Sequence, residues 1–239
     1  MTDTEAVVLY GPDGPTEREA RLFGDVQGRR VLDLGCGTGT NAVALARRGA
    51  SVIGVDASAD RLRRARERAE AAAVKVEWHQ RDAAELAFLR ADSFDLVLAT
   101  YLLDEVEDAP RLFRQAHRVL KAGGVLVASH RHPFALCCER AAAGTVPGPG
   151  EGAVAEGPGA LPLGDVVVRR SYFERAPLRL TVDGGEVTVW PRSLSEVFTA
   201  IGRAGFRVEV ILEPEPTAGS EPNPLLPTTI VWRARKEGV

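Results

Sequence analysis

Short apolar runs and segments of helical spacing alternate along the first half of the chain. The apolar runs are "RRVLDLG", "SVIGVDA", "VKVEWHQRDA", "FDLVLATYL" and "VLVASHRH", each typical of a strand buried in a sheet. Helical spacing is found over 16–24, 40–49, 58–73 and 109–124, with the last helix expected to end at the Gly123–Gly124 pair. Because strands and helices alternate, we predict a doubly wound α/β fold whose parallel sheet is covered on both faces.

The second half of the chain begins with a different pattern. Residues 141–165 are rich in glycine and proline with few large apolar side chains, which predicts a mobile loop. This loop is either a disordered insertion or a lid that orders on substrate, and we expect 144–163 to be poorly ordered without acceptor. Regular structure is predicted again from "VVVRRSYFE", with a hairpin at Asp183–Gly184–Gly185, a helix over 193–205 and two final strands.

Composition and charge narrow the class of protein. The 239 residues are 45% hydrophobic and 26% charged, as in an ordinary globular domain. Acidic residues exceed basic ones by 33 to 30, which argues against a nucleic-acid partner. Nothing resembles a signal peptide or a membrane helix, so no membrane partner is expected.

The three cysteines point to a reducing compartment. Cys36, Cys137 and Cys138 lack the spacing of a metal site, and the adjacent pair is badly placed to form a disulfide. We therefore expect free thiols, no metal and a cytoplasmic location.

The stretch "VLDLGCGTGT" places Gly35, Gly37 and Gly39 directly after the first predicted strand. Dinucleotide-binding folds use Gly-x-Gly-x-x-Gly instead, and no lysine follows as a phosphate-binding P-loop requires. A tight structural turn also explains these glycines. Asp56 ends the second predicted strand, where an acid can bind ribose hydroxyls or serve the N-terminus of the next helix.

As a set, these motifs resemble the class I S-adenosylmethionine-dependent methyltransferases. "VLDLGCGTG", "GVDAS", "RDAAEL", "FDLVLATYLLDEVED" and "VLKAGGVLVAS" occur in the order and spacing of that family, over roughly residues 20 to 130. The chain's ending, "AGFRVEVILEP" and "PTTIVWRARK", is similar as well. The resemblance implies a mostly parallel seven-stranded sheet with an antiparallel last strand, and S-adenosylmethionine as the cofactor.

The resemblance also implies roles for individual residues. The glycines would line the methionine part of the cofactor, Asp33 its ammonium group, and Asp56 its ribose, with Asp82 and Ala83 near the adenine. Ala99 and Tyr101 would lie near the sulfonium, and Tyr10 on a segment that closes over the site. The implied cofactor-binding residues are Tyr10, Asp33, Gly35, Cys36, Gly37, Gly39, Asp56, Ala57, Asp82, Ala83, Ala99 and Tyr101.

Candidates for catalysis are fewer, because methyl transfer from a sulfonium needs alignment more than it needs an acid or base. His132 is the first candidate base and His130 the second, in a "SHRHPF" run that resembling enzymes share in part. Either histidine is equally explained as a strand-end residue. Asp104 and Glu105 stand where many members of the family carry histidines, and a solvated first turn of the next helix explains them too.

Aromatic and basic side chains complete the predicted site and its surroundings. Tyr172, Phe173, Trp190 and Arg192 follow the loop and are expected to roof the acceptor site, with core packing as the alternative. The arginines between 61 and 68 alternate with acids, so we interpret them as a solvated helix face rather than an RNA-binding patch.

We predict one methyltransferase domain that methylates an oxygen or nitrogen of a small molecule, as a monomer or homodimer. Its parts are an N-terminal lid and helix (1–28), a cofactor-binding core (29–130), a loop and substrate cap (133–192), and a C-terminal helix with edge strands (193–239). The alternatives are a methyltransferase acting on RNA or protein, and a cofactor-binding regulator without turnover. An NAD-dependent oxidoreductase is disfavoured by the glycine spacing.

Overall fold

A seven-stranded sheet forms the centre of the protein. The computed structural model describes residues 7–11, 14–140, 166–182, 185–215 and 226–238. The predicted mobile segment 144–163 lies outside them. The strands of the main sheet are β1 (Arg30–Leu34), β2 (Ser51–Asp56), β3 (Val76–Gln80), β4 (Phe94–Ala99), β5 (Leu120–Arg131), β10 (Phe206–Leu212) and β11 (Thr229–Lys236).

The strand order in this sheet is β10-β11-β5-β4-β1-β2-β3. The strands β1 to β5 pair parallel to their neighbours, whereas β11 pairs antiparallel with both β5 and β10. This confirms the predicted fold class, including the antiparallel last strand. The order places β1 and β4 side by side, so the turns that follow them meet at one edge of the sheet.

Alternation along the central strands divides the core into two layers. Leu32 and Val97 pack on the layer that faces the later helices, whereas Val31 and Leu96 pack on the layer that faces the N-terminal segment. Successive side chains of a strand point to opposite faces, so continuous apolar runs are needed when both faces are covered. The α-helices in the described part of the chain are α1 (Glu17–Ala20), α2 (Thr40–Arg47), α3 (Ala59–Ala71), α4 (Ala109–Val119) and α5 (Leu194–Arg203).

Local capping explains where several helices begin. Thr16 and Glu19 form the capping box predicted at the start of α1, and Ser193 and Glu196 form another at α5. Ser58 caps α3 by accepting a hydrogen bond from the Arg61 backbone N–H.

The predicted helix over 109–124 is wrong at its C-terminal end. The helix α4 stops at Val119, and β5 starts at Leu120, which pairs with Phe94 of β4. Gly123 adopts a left-handed φ of 75° within β5, where the register between β4 and β5 shifts. Residues 120–124, which the helical spacing predicts as the end of the helix, therefore belong to β5.

Two small antiparallel pairs precede α5. The first joins β6 (Cys138–Arg140) to β7 (Val166–Val168), and the second joins β8 (Leu178–Val182) to β9 (Gly185–Val189). The second pair is the predicted hairpin, with the turn residues 183–184 outside the described part. Every helix that the structure describes is too short or too polar to span a lipid bilayer.

Candidate functional site

The glycine turn lies at the carboxyl end of β1, in the middle of the sheet edge. Gly35, Gly37 and Gly39 have φ values of 61°, 54° and 78°, a region that other residues rarely adopt. A Cβ atom on Gly35 would lie 2.6 Å from Leu102 Cδ1, so this glycine also permits close packing against the turn after β4. The backbone N–H of Cys36 donates to the Val55 carbonyl at 3.1 Å, which joins the turn to β2.

Gly39 serves the packing of α2. A Cβ atom there would lie 2.8 Å from the Trp78 ring and 2.9 Å from Ala65 Cβ. This glycine thus allows the N-terminus of α2 to approach α3 and β3 closely.

Asp56 organises the site from the end of β2. Its carboxylate is buried and accepts the backbone N–H of Gly37 at 2.9 Å and that of Ser58 at 2.8 Å, one on each oxygen. Each oxygen keeps a further lone pair. The arrangement orients a carboxylate that can accept hydrogen bonds from two neighbouring hydroxyl groups.

Asp33 is a buried carboxyl group without compensation. It is 1% exposed, and within the described part of the chain neither of its oxygens has a hydrogen-bond partner. Burial and the charge of Asp56 raise its pKa to about 8. The Ala42 backbone N–H lowers the pKa by a smaller amount, although its geometry falls short of a hydrogen bond. A cation bound at this point would relieve both effects, which fits the predicted ammonium site.

A cleft of about 560 Å³ opens over Asp56, whereas Asp33 is buried and is not part of the lining. Its volume lies within the range of small-molecule sites, about 300–1,000 Å³. Asp82 enters the wall as part of a turn in which its carboxylate accepts the Ala84 backbone N–H at 2.7 Å. The predicted site residues that line the cleft are Gly35, Asp56, Ala57, Asp82, Ala83 and Glu105.

Other predicted cofactor residues lie beside or beneath the cleft. Ala99 is buried at the end of β4, and Cys36 is buried in the turn, where burial raises the pKa of its thiol. Tyr10 is fully buried with its hydroxyl donating to Glu17. The same Glu17 carboxylate accepts the N–H groups of 22, 23 and 24, so Tyr10 belongs to a structural cluster, and it is not among the residues that line the cleft.

Tyr101 begins the turn after β4 in a strained conformation. Its φ is 53°, uncommon for an aromatic residue and a feature that often accompanies functional sites. Its hydroxyl lies 3.0 Å from Thr229 Oγ1, its backbone N–H donates to Ser129 Oγ, and the Arg131 guanidinium lies 5.1 Å from its ring centre. These contacts connect the end of β4 to β5 and β11.

Asp104 is held inside the protein rather than in the mouth. Its Oδ2 accepts from the Arg131 guanidinium at 2.8 Å, and its Oδ1 lies 3.6 Å from His130 Nδ1. The residue is 4% exposed. A solvated first turn is therefore wrong for Asp104, because the Arg131 partnership keeps it buried.

The two candidate histidines have both ring nitrogens engaged. His130 lies with Nδ1 2.8 Å from the Arg131 carbonyl, and its Nε2 lies 3.0 Å from the Trp232 indole nitrogen. Since the indole can only donate, Nε2 accepts and the proton is assigned to Nδ1. Burial lowers the pKa of His130. His132 Nε2 lies 2.8 Å from Glu213 and Nδ1 accepts the Phe134 backbone N–H.

Glu105 is the candidate catalytic side chain that reaches the cleft. It is half-buried, and burial raises the pKa of its carboxyl group. Arg61 lies between it and Asp56, at 3.8 Å and 4.0 Å respectively. The interpretation of the arginine run as a solvated face fits Arg63 and Arg64, which pair with helix acids, but Arg61 faces the cleft.

Of the predicted roof, two residues contact the turn after β4. The Trp190 backbone N–H donates to the Asp104 carbonyl at 2.7 Å, and Arg192 donates to three carbonyls of that turn. Tyr172 instead accepts the Leu194 backbone N–H, and Phe173 is 76% exposed. Of the four residues predicted to form the roof, Trp190 is the one that lines the cleft, and the roof over an acceptor stays a prediction.

Sequence reasoning missed Asn41. Its side chain exchanges two hydrogen bonds with the Leu9 backbone and donates to Thr100 Oγ1, so it links the N-terminal segment to α2 and β4. An asparagine in the first turn of a helix carries no signal of such distant partners. No group of three or more His, Cys, Asp and Glu side chains is arranged to hold a metal among the residues described.

Comparison with known proteins agrees with this geometry. A model of a methyltransferase domain matches residues 31–124. A ubiquinone biosynthesis O-methyltransferase of Bordetella avium is 39% identical over 103 residues, which cover 43% of this chain and 43% of that protein. The chain thus matches less than half the length of this curated relative.

Solved structures match over nearly the whole chain. The S-adenosylmethionine dependent methyltransferase of Mesorhizobium loti is 28% identical, with a TM-score of 0.69 and coverage of 94% of this chain and 100% of that one. The [4+2]-cyclase SpnF shares the fold at 18% identity, with a TM-score of 0.60 over 93% of this chain and 80% of that one. The fold alone therefore leaves the reaction open.

Proposed function

Because this chain is similar in motif and fold to the class I S-adenosylmethionine-dependent methyltransferases, we propose that it transfers a methyl group from that cofactor to a small molecule. The observation that carries the proposal is the pair of carboxylates at the sheet edge. Asp56 is oriented by two backbone N–H groups to accept hydroxyls, and Asp33 is buried without a partner. A ligand that carries both a ribose and an ammonium group fits these two carboxyl groups, with the ribose hydroxyls at Asp56 and the ammonium group at Asp33.

The residues that would hold the cofactor follow from the cleft. The left-handed glycine turn allows the amino-acid part to approach the backbone, while Asp82 and Ala83 form the wall at the adenine end. When bound, the cofactor supplies a methyl group already activated by its positive sulfur. Acidic side chains that line the cleft, among them Asp56, Asp82 and Glu105, favour a cationic ligand.

The chain's contribution to the reaction is alignment and exclusion of water. The turn after β4, Trp190 and Asp56 all line the cleft. Holding the acceptor and the methyl group in line removes much of the entropic cost of a bimolecular step. The histidine base stays a prediction, and it would require His132 to release Glu213.

We propose a hydroxyl oxygen as the acceptor, with nitrogen as the second choice. Support comes from the relative named as an O-methyltransferase, which is 39% identical to this chain over 103 residues. Several carboxylates line the cleft, and Glu105 is the one among them that the sequence predicts as a catalytic candidate, so we assign it the role of accepting the hydroxyl proton. Its raised pKa, caused by burial, brings it closer to neutral pH than an exposed glutamate.

Calorimetry followed by an acceptor screen tests the proposal. We expect S-adenosylmethionine and S-adenosylhomocysteine to bind and NAD not to bind. A panel of small phenols, alcohols and amines with labelled cofactor should then show methyl transfer. Binding without transfer to any acceptor would favour a cofactor-binding regulator, and heat with NAD alone would refute the cofactor assignment.

A further inference from the structure

The segment 190–192 is hydrogen-bonded to the turn that forms one wall of the cleft. Arg192 donates to the carbonyls of Leu103 at 2.9 Å, Val106 at 2.5 Å and Glu107 at 2.6 Å. The Trp190 backbone N–H donates to the Asp104 carbonyl at 2.7 Å. Trp190 and Arg192 thus satisfy four carbonyls of one short turn, those of residues 103, 104, 106 and 107.

These carbonyls need such a partner because of the turn's local structure. Residues 103–105 form a single 3-10 turn, too short to satisfy its own carbonyl groups. A guanidinium is planar and carries five donors in a fixed fork, so one arginine can bind several carbonyls at once. Hydrogen bonds from a charged donor are also stronger than neutral ones.

The same turn carries the side chains that line the cleft. Leu102, Glu105 and Val106 all face it, and Leu102 packs against the Gly35 backbone. Trp190, whose backbone N–H donates to the Asp104 carbonyl, also lines the cleft. The position of the wall therefore depends on contacts made by residues that are distant in sequence.

We infer that Arg192 is a positioning residue, which holds the turn 102–107 and Trp190 in place as one wall of the cofactor cleft. The inference rests on the proposed function, since it takes the cleft to be the cofactor site. Arg192 itself acts through the backbone of the turn. Replacing the Arg192 guanidinium should leave the cofactor contacts at Asp56 unchanged. It should loosen the wall that the turn 102–107 and Trp190 form.

The test compares Arg192→Lys with Arg175→Lys by titration with S-adenosylhomocysteine. Arg175 is a matched control because, like Arg192, it is an arginine that lies before α5 in the chain. Its guanidinium pairs with Glu196 of that helix, away from the turn. We expect Arg192→Lys to raise the dissociation constant about tenfold at a stoichiometry near one, and Arg175→Lys to change it less than twofold. A merely structural role would instead lower the stoichiometry, because part of the protein would be unfolded, and leave the dissociation constant unchanged.

Hydrogen exchange gives a second measurement that needs no ligand. In Arg192→Lys, backbone amides of the turn 102–107 should exchange at least tenfold faster than in the wild type. The amides of β1 and β4 should keep their wild-type rates. Unchanged turn exchange together with an unchanged dissociation constant would overturn the inference. If wild-type protein fails to bind S-adenosylhomocysteine, the proposed function fails instead, and the exchange measurement still decides whether Arg192 holds the turn.

Discussion

Asp33 makes the stability of this protein depend on pH in an unusual direction. Its pKa is about 8 in the folded protein, because of burial and the charge of Asp56. An aspartate in an unfolded chain titrates near 3.9. Between these values the folded protein keeps the proton that the unfolded chain loses, so stability falls as the pH rises from about 4 to about 8.

The size of the effect follows from this difference. Each pH unit in the interval costs about 1.4 kcal/mol of unfolding free energy, with less near the two ends. From pH 5 to pH 8 the loss amounts to about 3–4 kcal/mol. Asp33→Asn removes the titrating group at nearly constant shape, so its unfolding free energy should lack this loss.

Urea unfolding of both proteins at pH 5 and pH 8 measures the effect. All other titrating groups are common to the two proteins and cancel in the comparison. We expect the variant to gain about 3–4 kcal/mol on the wild type between the two pH values. Parallel pH dependence in the two proteins would refute a neutral, buried Asp33.

The same group predicts that cofactor binding releases a proton. An ammonium group beside Asp33 favours the ionised carboxylate, so its pKa falls when the ligand binds. At pH 6.5 the free protein holds this proton while the ligand's own amino group, with a pKa near 8, stays charged. Calorimetry with S-adenosylhomocysteine in buffers of different ionisation enthalpy should give about one proton released for wild type and close to none for Asp33→Asn. Equal release in the two proteins would exclude this role.

Three further substitutions test the site. Asp56→Ala should weaken S-adenosylhomocysteine binding by about 1.5–3 kcal/mol, the usual loss for charged hydrogen bonds, and unchanged affinity by calorimetry would contradict the ribose role. Gly35→Ala should abolish binding and lower the melting temperature more than Gly37→Ala does, because only the first also meets a side chain within 3 Å; equal effects would contradict the close packing. His132→Ala should change kcat by less than tenfold because Nε2 is engaged by Glu213, whereas a loss of about 10²–10⁴-fold at unchanged cofactor affinity would identify a general base.

The sheet and the cofactor cleft were predictable because their signals are local. Gly35 and Asp56 each follow an apolar run, and parallel strands bring such positions to one edge. The cleft accordingly brings Gly35, Asp56 and Asp82 together as expected. The end of α4 was predicted wrongly because helical spacing continues to Gly124, whereas pairing of Leu120 with Phe94 belongs to a different part of the chain.

The environment of the catalytic candidates was not predictable from local pattern. His132 meets Glu213 across 81 positions, and Arg192 meets the Leu103 carbonyl across 89. A histidine or arginine has the same appearance in the sequence whether its partner is a buried carbonyl, a carboxylate or water. The sheet order β10-β11-β5 brings His132 and Glu213 together, and the packing of 190–192 on the turn brings Arg192 to its carbonyls.

The place of β11 in the sheet has a consequence for how the protein is made. This strand lies between β5 and β10, although it is the last of the seven to leave the ribosome. The edge of β5 is complete at Arg131, yet its partner begins about 100 residues later, at Thr229. At about 5–20 residues per second, the nascent chain exposes an unpaired apolar strand for roughly 5–20 seconds. Synthesis of this protein therefore passes through a stage open to aggregation, during which we expect the nascent chain to need a chaperone.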